Sequence, residues 1–143
     1  MIMPQTAQYA LRIMASIALT QGARPVRAME IAEQINTPRH YVSKVLRKLV
    51  TAGLLKAERG HGGGFVLARS ADKIFFCQIL EAVQKSRQTK QCIFGWRRCD
   101  ASNPCILHHG WHAVNSSFED WSRKTSLSDI QTDALKSNWL TRA

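Results

Sequence analysis

The 143-residue sequence predicts a mainly α fold with a small β-hairpin wing: a winged helix-turn-helix followed by a long C-terminal dimerisation helix. Three observations carry that expectation. Apolar residues recur at helical spacing through most of the first half. A glycine-dense run, Gly60-His61-Gly62-Gly63-Gly64, separates two short strand-like segments. A second apolar repeat, Leu107, Trp111, Val114, Phe118 and Trp121, lies far downstream. At 45% apolar residues the chain can bury one modest core.

Tyr9, Ala10, Ile13, Met14 and Ile17 predict a first helix over 5–20, broken by Gln21-Gly22-Ala23-Arg24-Pro25. Met29, Ile31, Ala32 and Ile35 predict a short second helix over 28–34 with those residues inward. Asn36-Thr37-Pro38 reads as a tight turn, with Thr37 as N-cap and Pro38 at the first helical position. The third helix, over 39–52, buries Val42, Val45, Leu46, Leu49 and Val50, and Gly53 stops it. Its other face carries Arg39, His40, Ser43, Lys44, Arg47, Lys48 and Thr51, with no acid among them. Two helices joined by a short turn, the second basic outside, are the helix-turn-helix pattern.

Strands are expected over 54–59 and 65–68, with the glycine run as the wing tip. A fourth helix over 78–85 turns Ile79, Leu80 and Val83 inward, and 86–90 is a basic linker. A long helix begins near Cys105, and its large residues are spaced as an a/d seam. Such a stripe outside the winged-helix core predicts a dimer interface. Leu127, Ile130, Leu135, Trp139 and Leu140 suggest a last short helix covering it. The expected divisions are a DNA-binding domain over 1–86, a cysteine-rich loop over 87–105, and the dimerisation and C-terminal helices over 106–143.

The net charge of +10 is uneven. Residues 1–90 hold 14 Lys and Arg against 5 Asp and Glu, whereas residues 91–143 hold 6 against 5. Between Arg39 and Arg69 there are 7 basic residues and one acid, Glu58. The basic half suits an anionic partner, and double-stranded DNA fits best. No basic run adjoins a long apolar face, so a membrane partner is not expected. No run of 18 apolar residues occurs, and a signal peptide is not expected because Arg12 interrupts the first apolar stretch; the reading is cytoplasmic. On a helix-turn-helix, Arg39, His40, Tyr41, Ser43 and Lys44 are placed to meet base edges, and Arg47 and Lys48 phosphate. Arg59 at the wing base suits a minor groove, while Gly60, His61, Gly62 and Gly63 bring the wing backbone close to phosphate.

Cys92, Cys99 and Cys105 share one loop-like stretch, and His108 follows three residues later. Three thiols and an imidazole so placed are the ligand set of a metal or iron–sulfur site. Structural zinc fits the same donors. A thiol switch forming disulfides on oxidation is the other alternative. His109 and His112 read as surface residues, and Cys77 as a small core residue. No carboxylate pair, nucleophile–base motif or phosphate loop points to an enzyme, because Gly60–Gly64 lacks a following Lys-Ser/Thr. A small electron carrier would leave the basic helix and wing without a purpose.

Several segments occur in one order: Tyr9-Ala10-Leu11-Arg12, Glu30-Ile31-Ala32, Pro38-Arg39-x-Tyr41, Leu49-Val50-x-Ala52-Gly53-Leu54, Arg59-Gly60-x-Gly62-Gly63-Gly64-Phe65-x-Leu67-Ala68 and Glu81-Ala82-Val83. With the three-cysteine loop and Leu107-His108-x-x-Trp111, the chain resembles the Rrf2-type winged-helix transcription regulators (IscR/NsrR/RirA-like) over 5–130. The resemblance implies a homodimeric repressor or activator on a palindromic operator. It also implies an iron–sulfur cluster on Cys92, Cys99 and Cys105 that senses redox state, iron or iron–sulfur supply, or nitric oxide. The first gap, Cys92-x6-Cys99, is one residue longer than in some members. Nitric-oxide-sensing members supply an aspartate in the first helix as fourth ligand, where this chain has Gln8. Other members use a histidine after the third cysteine, which His108 matches. That match favours a 2Fe–2S cluster held by three Cys and His108, with 4Fe–4S the alternative.

Overall fold

The computed structural model describes residues 3–20, 24–84, 92–94 and 99–137. Their order is α1 (Gln5–Leu19), α2 (Ala28–Gln34), α3 (Arg39–Thr51), β1 (Leu55–Glu58), β2 (Gly64–Leu67), a 3-10 turn (Ala71–Lys73), α4 (Phe76–Val83), α5 (His108–Lys124) and α6 (Leu127–Ser137). The expected class holds: helices with one antiparallel hairpin.

α1 is the centre of the molecule. Ala7, Ala10, Ile13, Met14, Ile17 and Ala18 are buried in one core, and α2, α3, α4, α6 and β2 all pack against the helix. The alanines keep its surface low enough for close neighbours. α3 adds Val42, Val45, Leu46 and Leu49 to that core, leaving its opposite face to solvent. Spacing of three and four residues puts these side chains on one side of the helix. Ser16 on α1 donates its hydroxyl to Gln34 Oε1, which ties α2 to the same core.

The turn before α3 departs from the expected capping. Pro38 itself is the N-cap, and no side chain caps α3. Thr37 is buried and donates its hydroxyl to the Ile35 carbonyl at 3.2 Å. Asn36 takes a positive φ of 48°, a conformation asparagine tolerates, and this reverses the chain after α2. Met29 is 52% exposed rather than inward, because a seven-residue helix has room for few core contacts and Ile31 and Ala32 fill them.

β1 and β2 pair with Leu55 opposite Leu67 and Glu58 opposite Gly64. The hairpin is anchored on its β2 side, close to the turn, by an extra bridge between Val26 and Phe65, with N–H···O distances of 3.0 and 2.8 Å. Gly64 is required there: a methyl on its Cα would lie 2.6 Å from the Val26 carbonyl oxygen.

α4 starts at Phe76, two residues earlier than the apolar pattern suggested, because the Phe75 amide donates to Gln78 Oε1 at 3.0 Å. Cys77 therefore lies inside α4 and is half-buried rather than a core residue. α6 also differs from expectation. It packs on α1 and the 3-10 turn rather than over the α5 stripe. Leu127 is fully buried, Ile130 joins the core, and Gln131 donates to the Ala18 carbonyl at 2.7 Å. Trp139, Leu140 and the 86–90 linker lie outside the described residues. Among the described residues no helix is long and apolar enough to cross a membrane.

Two outcomes follow. Gly64→Ala should destabilise the chain by roughly 1–3 kcal/mol, because the added methyl must displace backbone; an unchanged urea midpoint would contradict the anchoring. At the start of α6, Asp129 Oδ2 accepts from the Ser126 amide and hydroxyl, both at 2.8 Å. These bonds hold the Asp129 carboxyl below its usual range. A depressed folded-state value means the capping contribution is present at neutral pH and is lost as pH falls below about 4. The thermal midpoint of Asp129→Asn should therefore fall less steeply with acidification than that of the parent, and parallel acid limbs would contradict this.

Candidate nucleic-acid interface and cysteine–histidine site

The basic face is built by the same burial that fixes α3. With Val42, Val45, Leu46 and Leu49 inward, Arg39, His40, Tyr41, Lys44, Arg47 and Lys48 are all exposed, and Ser43 is half-buried at the flank. His40 and Tyr41 rings lie 4.3 Å apart, and Tyr41 continues to Tyr9 of α1 at 6.2 Å. Lys48 is not wholly free, because its ammonium donates to the Val83 carbonyl at 3.3 Å. Arg59, Gly60, His61 and Gly62 are exposed at the wing tip. Gly60 and Gly62 have φ of 95° and 78°, which side chains other than glycine rarely adopt, and Gly63 donates its amide to the Gly60 carbonyl at 3.0 Å. Reading helix and wing thus project as two basic, exposed elements. Arg24 pairs with Glu30 at 2.6 Å on the surface at α2, and its hydrogen bond keeps the Glu30 carboxyl low.

The cysteine site is partly assembled. Cys99 Sγ lies 3.1 Å from His108 Nδ1, within thiol–imidazole hydrogen-bonding reach. His108 is buried and is the first residue of α5, and its amide donates to the Cys105 carbonyl at 3.0 Å. Its ring packs edge-on against His109 at 5.5 Å and parallel to His112 at 6.0 Å. Both imidazoles are exposed, as expected of surface residues, and lie against the His108 ring because they stand at i+1 and i+4 from it. Cys92, Cys99 and Cys105 are half-buried free thiols. Among the described residues no group of three or more His, Cys, Asp or Glu is gathered closely enough to hold a metal ion. The structure thus brings Cys99 and His108 together but not Cys92 and Cys105 with them. Gly95, Trp96, Arg97, Arg98 and Lys90 lie outside the described residues. The donor chemistry suits a soft metal or an iron–sulfur core. Two ligands on one tetrahedral zinc would stand about 3.5 Å apart from standard bond lengths, so Cys99 and His108 need only a small separation to act as a ligand pair.

Cys77, outside this site, has its thiol pushed up by burial and by the neighbouring Glu81 carboxylate. It has the character of an unreactive thiol.

A basic reading helix α3, a glycine wing and a buried first helix define the class, a winged helix-turn-helix DNA-binding transcription regulator. The comparisons are specific. The chain belongs to the Rrf2 family, described as an iron-dependent transcriptional regulator, whose model matches residues 3–133. An HTH-type transcriptional regulator of Aquifex aeolicus is 34% identical over 132 residues, covering 91% of both chains. The regulator IscR of Vibrio parahaemolyticus is 29% identical over 126 residues, covering 88% of this chain and 74% of its own. Among solved structures, the global cysteine regulator CymR of B. subtilis superposes with a TM-score of 0.79 at 23% identity, over 92% of this chain and 97% of that one. T. potens IscR superposes with a TM-score of 0.76 at 25% identity, over 94% and 88%. These relatives are regulators rather than enzymes, in keeping with the absence of a catalytic motif.

Proposed function

We propose that this chain is a cytoplasmic, homodimeric transcription regulator whose DNA affinity is set by an iron–sulfur cluster on Cys92, Cys99, Cys105 and His108. The observation that carries the cluster reading is the Cys99–His108 contact at the first residue of α5. IscR-named relatives and the family description support it. A bound cluster would supply a reversible change of charge and of ligand occupancy; 2Fe–2S suits three thiolates and one imidazole. The chain's own residues do the rest. His108 ties the cysteine segment to the start of α5. The stripe on α5 is open in the single chain, with Leu107 at 41%, Val114 at 47% and Trp121 at 53% exposure. A second copy laid along it would bury those residues, so a shift at His108 acts where two copies meet. The divisions at 86 and 105 then separate reading head, sensor and dimer helix. Half-sites in a palindromic operator have fixed spacing, so a change in head separation alters affinity.

A second reading starts from the same cysteine. Cys99 is a half-buried free thiol that an oxidant could join to another cysteine in a disulfide, without a metal. A CymR of Staphylococcus aureus has been solved in an oxidised form, which keeps the thiol-switch reading in play.

Anaerobic purification followed by iron, sulfide and zinc analysis separates the readings. The cluster reading expects iron with equal sulfide, loss of both in Cys99→Ser, and different operator affinity for loaded and cluster-free protein. Zinc without sulfide, or metal-free protein, would overturn it, and the latter would favour the thiol switch. The reading of the helix makes its own demand. Arg39→Ala should relax sequence preference at one base position, at a cost of about 1–3 kcal/mol. Arg47→Ala should weaken binding evenly across sequences and lower the salt slope by about 1. Identical profiles for the two variants would overturn the assignment of their roles.

A further inference from the structure

The two ring nitrogens of a histidine are distinct, and which one meets a metal is fixed by how the ring is held. His108 is 8% exposed, and its Nδ1 faces Cys99 Sγ at 3.1 Å. Nε2 lies on another edge of the ring. For Nε2 to reach a metal shared with Cys99, the ring must swing out of its present place. Ligating histidines are commonly held against such movement by a hydrogen bond from the second nitrogen. Among the described residues the hydrogen-bonding contact shown for this ring is the one at Nδ1, so its hold has another source.

That source is the start of α5. His112 stands at i+4 from His108, on the same face of the helix. Its ring lies 6.0 Å away and within 24° of parallel. His109 meets the same ring edge-on, at 5.5 Å and 89°. Both separations suit paired rings. His109 and His112 are themselves exposed, and neither belongs to the core. Their rings therefore hold His108 without taking part in the packing of the fold.

We propose that His108 takes the cluster through Nδ1, and that His112 is the positioning residue that keeps the ring in that pose by stacking on it from the next turn of α5. The proposal rests on the cluster reading above and adds the ligating atom and its support. It also says how occupancy of the site reaches the rest of the protein. With the cluster bound, the His108 ring is fixed on one edge beside Cys99 and on one face against His112, so the cysteine segment and α5 move together. With the cluster lost, only the hydrogen-bonding contact of Cys99 with Nδ1 joins them through this ring, and the two can part.

The test uses the full chain with its cluster assembled anaerobically, after iron and sulfide analysis. The protein is made with histidine isotopically labelled at Nδ1 alone or at Nε2 alone, and the reduced cluster is read by electron–nuclear double resonance. Strong coupling to labelled Nδ1, absent in His108→Ala, is the expected result. His112→Ala removes an exposed ring and favours the helix, so the fold is kept. It should give up iron to a chelator roughly tenfold faster or more, the size expected when a ligand loses its outer support. His112→Phe restores a flat ring without a metal-binding nitrogen and should return the rate to that of the parent. Strong coupling to Nε2 alone, or an unchanged rate in His112→Ala, overturns the proposal and leaves the cluster reading standing. A rate in His112→Phe as fast as in His112→Ala makes His112 a donor rather than a support, and overturns it as well. Coupling to neither nitrogen, with iron and sulfide present, overturns it and leaves a cluster on the thiolates alone. A parent without iron and sulfide takes down the cluster reading itself, and this proposal with it.

Discussion

The rest of the structure depends on the burial of α1. Its small and β-branched residues, Ala7, Ala10, Ile13, Ile17 and Ala18, let five other elements approach one helix. Cutting any of these to a polar group would leave an unsatisfied buried atom or a cavity on every neighbour at once. α3 can present a basic face only because α1 and α4 take its apolar stripe. α6 is held by α1, which offers Ala18 and the core around Ile130, and by the 3-10 turn, where the Leu127 amide donates to the Ile74 carbonyl at 2.7 Å. Reading head and C-terminal helix are thus coupled through one element rather than through a linker.

Charge on the outer surface follows from that arrangement rather than from any local preference for basic helices. Lys44, Arg47 and Lys48 repel one another on α3 and weaken the isolated helix slightly. Lys48 is compensated by the Val83 carbonyl at the C-terminal end of α4, where a cation is also favoured by the helix dipole. Lys44 and Arg47 receive no such compensation from any ion pair shown among the described residues. Uncompensated like charge on one face is a standing cost that a polyanion relieves, so the same residues that lower intrinsic stability raise affinity for nucleic acid.

Much of this was legible in the sequence, and the limits have physical causes. The helical periods of α1 and α3 and the glycine run marked their elements because each repeats one strong signal. Met29 looked inward by spacing, yet a helix of seven residues need not bury every apolar position. Thr37 looked like a cap, but a buried threonine gains more by bonding the Ile35 carbonyl. The stripes of α5 and α6 were both visible, but a stripe does not name its partner: α6 found α1, and α5 lays Phe118 and Trp121 on Phe76 of α4 while Leu107 and Val114 stay exposed. For the site, the residue types and spacing of Cys99 and His108 were enough to expect a shared role. The packing of His112 on His108 follows from their i+4 spacing on α5, whereas the Tyr9–Tyr41 contact joins two elements, which spacing within one element does not encode.

On the proposed reading, coupling between sensor and reading head must work in both directions. If ligation at Cys99 and His108 changes DNA affinity by some factor, then DNA must change the affinity of the site for its metal group by the same factor. The route for that coupling is short. His108 begins α5, Phe118 and Trp121 further along α5 pack on Phe76 of α4 at 5.8 and 4.9 Å, and α4 packs on α1 and α3. Each step is an aromatic or core contact rather than a flexible loop, and packed contacts have discrete arrangements rather than continuous ones. On that reading, a shift at His108 would reach the reading helix through packed contacts of α5 and α4.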